Sequence, residues 1–282
     1  MYKRQVLLTL KAIGVSGIEH HDAVDGGPQG LRLAHAELVR AADNVMKLKH
    51  VVRNVARRHG CTATFMPAPV AAGMRAGGMR VDQSLWKGGQ TLFFGEGTKA
   101  NLSQTARWYI GGLLRHMPSL LAFSRSTTNS YRRPGEQPEA PERATYASGD
   151  RSVALRVPSS IAGPQDQRVQ FRWADGLANP YLAFSAMVMA GLDGIRHQID
   201  PGGPAEAAVS PGDADGAPEG PGPAPRRLEE ALEALDHDRD YLLEGEVFGG
   251  ELIDTWIGLK QRQIRAICQR PHPLELSLHV DG

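Results

Sequence analysis

Two short segments alternate polar and apolar residues and carry arginines on one side. In residues 168–173 the polar positions are two arginines and Gln170, and the residues between them are large and apolar. Residues 151–157 repeat this period, with Arg156 on the polar side. A period of two is typical of a half-buried strand. Because guanidinium groups hold phosphates and carboxylates through paired hydrogen bonds, two such strands side by side would form an anion-binding surface.

Further candidate groups lie before these segments. The loop that leads into them carries Arg133 and Glu139, a cation and a carboxylate that could act on one ligand. Near the start of the chain, His20, His21 and Asp22 are residue types that bind metal ions. Adjacent histidines in a strand point to opposite faces, so only His20 and Asp22 could share an ion. A solvent-facing or supporting role is the alternative interpretation of this cluster.

The composition indicates a globular protein. The chain has 282 residues, of which 41% are hydrophobic, enough for one large domain or two small ones. A formal net charge of +1 gives no reason to expect a nucleic acid or an anionic membrane as a partner. No apolar run approaches the length of a membrane span, so we expect a cytoplasmic location. Cys61 and Cys268 are too few for a disulfide framework, and we expect both to be reduced and buried.

The elements that must position these residues are long helices and short strands. Apolar periodicity and capping signals predict helices over residues 5–12, 34–58, 101–117, 181–195, 228–235 and 252–267. Alternation predicts further strands at residues 62–66, 79–86 and 274–280. Residues 201–226 are rich in Pro, Gly, Ala and acid, which indicates a flexible loop. Without a regular strand–helix rhythm, this order is typical of an α+β fold with an antiparallel sheet, here as one domain over residues 1–282.

Six stretches together resemble the type I glutamine synthetases. They are KLKHVVRNVA at 47–56, TATFMP at 62–67, YIGG at 109–112, TTNSY at 127–131, NPYL at 179–182 and MAGLDGI at 189–195. The similarity is colinear and covers nearly the whole chain outside residues 201–226. It corresponds to the later part of that family's subunit, and the family's amino-terminal small domain has no counterpart here.

This resemblance implies a curved antiparallel sheet flanked by helices, and ATP-dependent ligation of ammonia to glutamate through γ-glutamyl phosphate. It also implies ATP and two Mg²⁺ or Mn²⁺ ions as cofactors. By position, Arg133 would bind glutamate and Glu139 would take the ammonium proton. Arg151 and Arg156 would contact the nucleotide phosphates, with Arg151 close to the reaction, and Arg172 would be a further substrate-side arginine. Cations suit this chemistry because a phosphoryl group in transfer spreads negative charge.

The resemblance breaks down at the metal ligands. Asp22 stands where the family has a ligand glutamate, and Gly30 and Gln170 stand at two more such positions. Arg80 replaces the ligand histidine, and Asp82 replaces a histidine that contacts the nucleotide. The family's remaining two ligand glutamates have no counterpart in the chain. Since Mg²⁺ demands several oxygen ligands, we expect metal binding to be weak.

Three interpretations remain open at this stage. The chain is an impaired or inactive family member that binds or assembles with copies of itself or with a full-length glutamine synthetase. Alternatively, it is a residual ligase that a separate polypeptide completes, or a truncated product that aggregates through its exposed sheet edge. In the first case the arginines either form a metal-free pocket for a nucleotide, phosphate or dicarboxylate, or pair with Asp22, Asp82 and Glu139.

Overall fold

A computed structural model of the protein describes residues 2–21, 29–69, 77–132, 143–150, 152–159, 161–205, 224–273 and 275. The helices in these ranges are α1 (Tyr2–Ala12), α2 (Leu38–Arg58), α3 (Gln104–Arg115), α4 (Met117–Ser124), α5 (Pro180–Arg196), α6 (Leu228–His237), α7 (Asp240–Leu243) and α8 (Gly250–Cys268). The strands are β1 (Glu19–His21), β2 (Gly30–Arg32), β3 (Met79–Gln83), β4 (Trp86–Lys87), β5 (Gln90–Thr91), β6 (Arg143–Ser148), β7 (Val153–Val157) and β8 (Val169–Ala174).

Four strands form the main sheet, in the order β3-β8-β7-β6. β8 pairs antiparallel with both β3 and β7, whereas β6 joins β7 in parallel. The predicted α+β class is confirmed, and the sheet is antiparallel at every pairing except this last one. The sequence does not predict β6, because its residues lack strict alternation and parallel neighbours normally need a crossover of a dozen or more residues.

Helices α3, α4 and α5 cover the apolar face of this sheet. Phe171 and Trp173 from β8 and Leu155 from β7 are at most 1% exposed within that core. Burying each such side chain contributes roughly 2–3 kcal/mol. A smaller second core lies between α1 and α2, where Leu10 and Val51 are buried.

Glycines bring α3 and α5 into close contact. A methyl group at Gly112 of α3 would lie 2.0 Å from the carbonyl oxygen of Ala190, and one at Gly194 of α5 would lie 2.2 Å from the carbonyl oxygen of Trp108. Both distances are far shorter than any van der Waals contact. The two helix backbones therefore touch at positions that only glycine can occupy.

Several sequence predictions differ from the structure. Residues 62–66 form no strand. Helix α2 begins at Leu38 rather than at residue 34, because Glu37 has an extended backbone with φ −56° and ψ 150°. Both Cys61 and Cys268 are exposed, so the prediction that they are buried was wrong. The strand predicted at 274–280 lies almost entirely outside the described residues.

Candidate functional site

A polar row crosses the face of the main sheet opposite the helices. Arg156 of β7 is the register partner of Gln170 of β8, and Gln170 is in turn the partner of Asp82 of β3. The neighbouring row consists of Leu155, Phe171 and Val81, which face the core side. The period of two in the sequence therefore places arginine, amide and carboxylate side by side, as predicted for a half-buried sheet.

The carboxylate of Asp82 contacts one amide and two guanidinium groups. The side-chain amide of Gln170 donates a hydrogen bond to its Oδ1 at 2.8 Å. Its Oδ2 lies 3.3 Å from Nε of Arg168 and 3.8 Å from Nη2 of Arg32, which ends β2. The side chains of Asp82 and Arg168 are 17% and 20% exposed, so the solvent screens their attraction only in part.

The remaining arginines of the polar surface differ in exposure. Arg172 of β8 is 5% exposed, whereas Arg80 of β3 is exposed and Arg156 is partly buried. The structure therefore brings Arg156, Gln170 and Asp82 together and adds Arg32 and Arg168 to them. Arg32 was missed by sequence reasoning, because nothing in a three-residue strand signals which acid its last side chain will reach.

Four predicted site residues lie outside the described residues, namely Asp22, Arg133, Glu139 and Arg151. Their roles stay predictions. Gly30 lies in β2 opposite His21. The imidazole of His20 contacts another side chain, with its Nε2 3.1 Å from Oε1 of Gln29. Among the described residues, no three His, Cys, Asp or Glu side chains are grouped so that they could hold a metal ion.

The turn that leads towards Arg133 is held by side-chain hydrogen bonds. Thr127 and Ser130 form a reciprocal capping box at the start of a short 3₁₀ helix, and Asn129 bonds both backbone groups of Ala68. Next to it, the Arg125 guanidinium lies 5.2 Å from the ring centre of Tyr131. Burial raises the pKa of Asp175, against the effect of the hydrogen bond that the backbone N–H of Leu177 donates to it at 2.8 Å. A buried polar group thus anchors the turn at the end of β8.

A second buried polar cluster joins four helices on the other side of the core. His116 lies at the junction of α3 and α4. Its Nδ1 is 2.8 Å from the carboxylate of Asp238, and its Nε2 is 2.9 Å from the carboxylate of Asp193 in α5. The hydroxyl of Ser119 donates to Asp238 at 2.8 Å, and the ring of Tyr241 stacks on His116 at 4.0 Å. Burial lowers the pKa of His116, but the two carboxylates outweigh it and the net shift is upward.

The arrangement on the sheet suits anions better than a divalent cation. The polar row contains one acid, Asp82, among the residues that the structure describes. Its carboxylate already has a hydrogen bond from Gln170 and ion pairs with Arg32 and Arg168. A guanidinium about 4 Å from an ion is worth roughly 4 kcal/mol for each unit of charge, and it opposes a cation. The arginines on the same surface can instead hold phosphate or carboxylate oxygens.

This fold, with helices on one face of a sheet and polar residues on the other, is that of the glutamine synthetase catalytic domain. The family model "Glutamine synthetase, catalytic domain" matches residues 1–279. The chain belongs to this family. The recognition made from the sequence motifs is thereby confirmed.

Curated relatives agree with this assignment. The glutamine synthetases of Frankia alni and Streptomyces filamentosus are each 45% identical to the chain, over 94% and 93% of its length and 56% of theirs. The glutamine synthetase of Streptomyces viridochromogenes is 42% identical over 99% of the chain and 60% of its own length. The chain thus spans somewhat more than half the length of the curated relatives it matches.

Solved structures show the same fold. A cryo-EM structure of Plasmodium falciparum glutamine synthetase has a TM-score of 0.85 at 22% identity, covering 99% of this chain and 61% of that one. A structure of GmaS in complex with ADP has a TM-score of 0.83 at 29% identity, covering 100% of this chain and 64% of that one. None of the helices in the described ranges is both long and apolar enough to cross a membrane.

Proposed function

We propose that this protein is a glutamine synthetase family member without effective ligase activity as a separate chain. The observation that supports this most directly is the bonding of Asp82, whose carboxylate is engaged by Gln170, Arg168 and Arg32. In a working ligase of this family, the same surface would present free carboxylates to divalent ions. Here Gln170 occupies one of those ligand positions, and its amide donates a hydrogen bond to Asp82.

The expected cost of changing metal ligands supports the proposed loss of metal-dependent catalysis. Changing groups that only support metal ligands typically costs about 10–100-fold in affinity or activity. The chain has Gly30, Arg80 and Gln170 at ligand positions themselves, so the expected loss is larger. Arg80 adds a positive charge where the family has a neutral histidine, and this charge repels a divalent ion.

A second candidate function is metal-free binding of an anion or nucleotide. The observation that favours it is the retention of Arg156 and Arg172 on the polar surface. The ADP complex of GmaS, a structure similar to this chain, is compatible with nucleotide binding here. In either case, we propose a cytoplasmic protein that assembles with copies of itself or with a full-length glutamine synthetase.

A magnesium titration tests the proposal. Binding of ATP is measured by calorimetry on the purified chain at increasing Mg²⁺, and glutamate-dependent phosphate release is followed in parallel. We expect no turnover, and ATP affinity that is absent or indifferent to Mg²⁺. Affinity that rises with Mg²⁺ together with phosphate release would show a working ligase and overturn the proposal.

Restoring the family ligands provides a matched gain-of-function test. The triple variant Gly30→Glu, Arg80→His and Gln170→Glu replaces a positive charge and two neutral positions with oxygen and imidazole ligands. We expect it to bind Mn²⁺ at least about tenfold more tightly than the parent chain. The control is Arg58→His at the end of α2, far from the sheet in sequence, which should leave Mn²⁺ affinity unchanged.

A further inference from the structure

Helix α8 presents large apolar side chains to the solvent. Leu252, Leu259 and Ile267 are 43%, 38% and 42% exposed. Trp256 lies between the first two along the helix and is half-buried, while Ile253 on the adjoining face belongs to the core. Single exposed apolar residues are common, but a continuous exposed strip is typical of a surface that contacts another molecule. The apolar surface of α8 is therefore wider than the part that the core covers.

These residues follow one another at the spacing of a coiled coil. From Leu252, steps of four, three and four residues lead to Trp256, Leu259 and Gln263, and four more residues lead to Ile267. Since a helix completes one turn in about 3.6 residues, all five side chains lie on one face of α8, which we call the α8 stripe. At about 1.5 Å per residue, the stripe is about 22 Å long.

Contacts within the protein hold the middle of the α8 stripe in place. The indole N–H of Trp256 donates to the carbonyl of Ala122 at 3.1 Å, and its ring stacks on Phe123 with ring centres 5.7 Å apart. The Nζ of Lys260 lies 4.3 Å from the ring centre of Trp256 and donates to Oε1 of Gln263 at 3.3 Å. Because these side chains are already ordered, a partner that packs on them pays little additional entropy.

The charges beside the stripe favour a second copy of the same helix as the partner. Glu251 and Arg262 are exposed and border the α8 stripe on the same side, because eleven residues make about three turns. Asp254, the other acid in the first half of α8, is already paired with Arg239 at 2.7 Å. In an antiparallel pair of α8 helices, the half that carries Glu251 faces the half that carries Arg262 in the other copy. A parallel pair would oppose like charges, and flanking charges of this kind set the orientation of coiled coils.

We propose that two copies of this protein dock through the α8 stripe as an antiparallel helix pair. Leu259 lies at the two-fold axis, and Leu252 packs against Ile267 of the second copy. Such a symmetric contact removes the exposed apolar side chains of both copies from water at once. This inference rests on the proposed function, because it names the surface for the self-assembly proposed there. One helix pair is a small interface, so we expect a dissociation constant in the micromolar range.

Sedimentation equilibrium of the full chain tests this contact. Leu259→Glu places two carboxylates at the axis and should weaken self-association about tenfold or more. The matched control is Leu8→Glu, since Leu8 is 57% exposed on α1, and it should leave self-association unchanged. Both replaced side chains are exposed, and thermal unfolding checks that both variants fold. A wild-type chain that stays monomeric up to about 0.5 mM, or a Leu259→Glu variant that associates like the wild type, would overturn the proposal.

Disulfide trapping tests the orientation of the two helices. Leu259→Cys or Leu252→Cys is introduced into a Cys61→Ser, Cys268→Ser background, and the chain is incubated with oxidised glutathione. Leu259→Cys should form a disulfide between copies, because the two side chains meet at the axis. Leu252→Cys should not, since an antiparallel pair separates its two Cα atoms by far more than the roughly 7 Å that a disulfide spans. Equal trapping at both positions, or trapping at neither, contradicts an antiparallel pair.

Charge exchange provides a second test of the facing halves. Glu251→Arg should weaken self-association about threefold, and adding Arg262→Glu should restore it. A double variant that stays as weak as the single one argues against the pairing.

The outcomes separate this inference from the proposed function. Unchanged association of Leu259→Glu rejects the α8 stripe but leaves self-assembly and the loss of ligase activity standing. A monomeric wild-type chain rejects self-assembly itself, while the magnesium titration still decides on catalysis. A chain that binds only to an added full-length glutamine synthetase, and loses this binding in Leu259→Glu, would overturn the second copy as the partner.

Discussion

Gln170 donates its side-chain amide to the carboxylate of Asp82 at 2.8 Å, across two antiparallel strands. In the related synthetases, as implied by the sequence resemblance, the position of Gln170 is a glutamate that holds a metal ion. In this chain the amide at the same position is a hydrogen-bond donor to the neighbouring carboxylate. Under the proposed function, this pairing on the polar face of the sheet accompanies the loss of metal binding.

Removing the carboxylate should therefore destabilise the fold. Asp82→Ala removes the hydrogen-bond acceptor of Gln170 and the ion-pair partner of Arg168 in a partly buried setting. We expect a loss of about 2 kcal/mol in the free energy of unfolding, measured by urea denaturation. The control is Glu19→Gln, which alters a far more exposed pair with Arg32, at 63% and 47% side-chain exposure. Its cost should stay below about 0.5 kcal/mol, and equal losses in the two variants would contradict the assigned role of Asp82.

The His116 cluster should make stability depend on pH. Its pKa in the folded protein lies above the ordinary value of 6.5, because Asp238 and Asp193 stabilise the imidazolium more than burial disfavours it. The stabilisation is then fully present below pH 6.5 and is lost as the pH rises through the folded-state pKa. Urea unfolding at a series of pH values measures this slope. Tyr241 and Ser119 contact the same cluster but keep their charge state in this range.

His116→Gln isolates this contribution. The variant leaves Asp193 and Asp238 without their shared cation, and we expect it to lose about 2–3 kcal/mol at pH 6. The difference from the parent protein should shrink as the pH rises, because the parent loses the same interaction. His50→Gln, exposed on α2, should follow the parent curve. A constant difference across the pH series would mean that the imidazole acts only through packing.

Exposure of both cysteines leads to a simple chemical expectation. Cys61 and Cys268 are exposed in the structure, and the Cys61 thiol makes only a long contact, 3.6 Å, to the carbonyl of His59. Both thiols should react with DTNB in the native protein at rates within about tenfold of those in the unfolded chain. The Cys61→Ser and Cys268→Ser variants show which thiol gives rise to which phase of the DTNB reaction. A native chain that releases fewer than two equivalents of chromophore would contradict the exposure of both cysteines.

Much of the sheet could be predicted because it depends on local periodicity. The alternation in residues 168–173 predicted β8 and its two faces, and Arg156 was placed on the correct side of β7. The motif resemblance identified the family from short, widely spaced stretches. These signals survive in a single sequence because each lies within one element.

The bonding of the site could not be predicted, because its partners come from distant parts of the chain. Asp82 meets Arg32 and Arg168 only after three strands have been brought together. The burial of Cys61 was predicted wrongly for a related reason, since apolar neighbours in sequence say little about the surface left after α2 ends.

The contact between α3 and α5 gives the sharpest prediction for the fold. Gly112→Ala inserts a methyl group 2.0 Å from the carbonyl oxygen of Ala190, so the helices must separate. We expect a loss of about 3 kcal/mol or more in the free energy of unfolding. Gly258→Ala is the matched control, since Gly258 also lies inside a helix but its methyl group would meet only Nη1 of Arg262, at 3.8 Å. That variant should gain about 0.5–1 kcal/mol in the free energy of unfolding from helix propensity. Changes of opposite sign for the same substitution at the two positions would confirm that the backbone contact, and not the residue type, sets the cost.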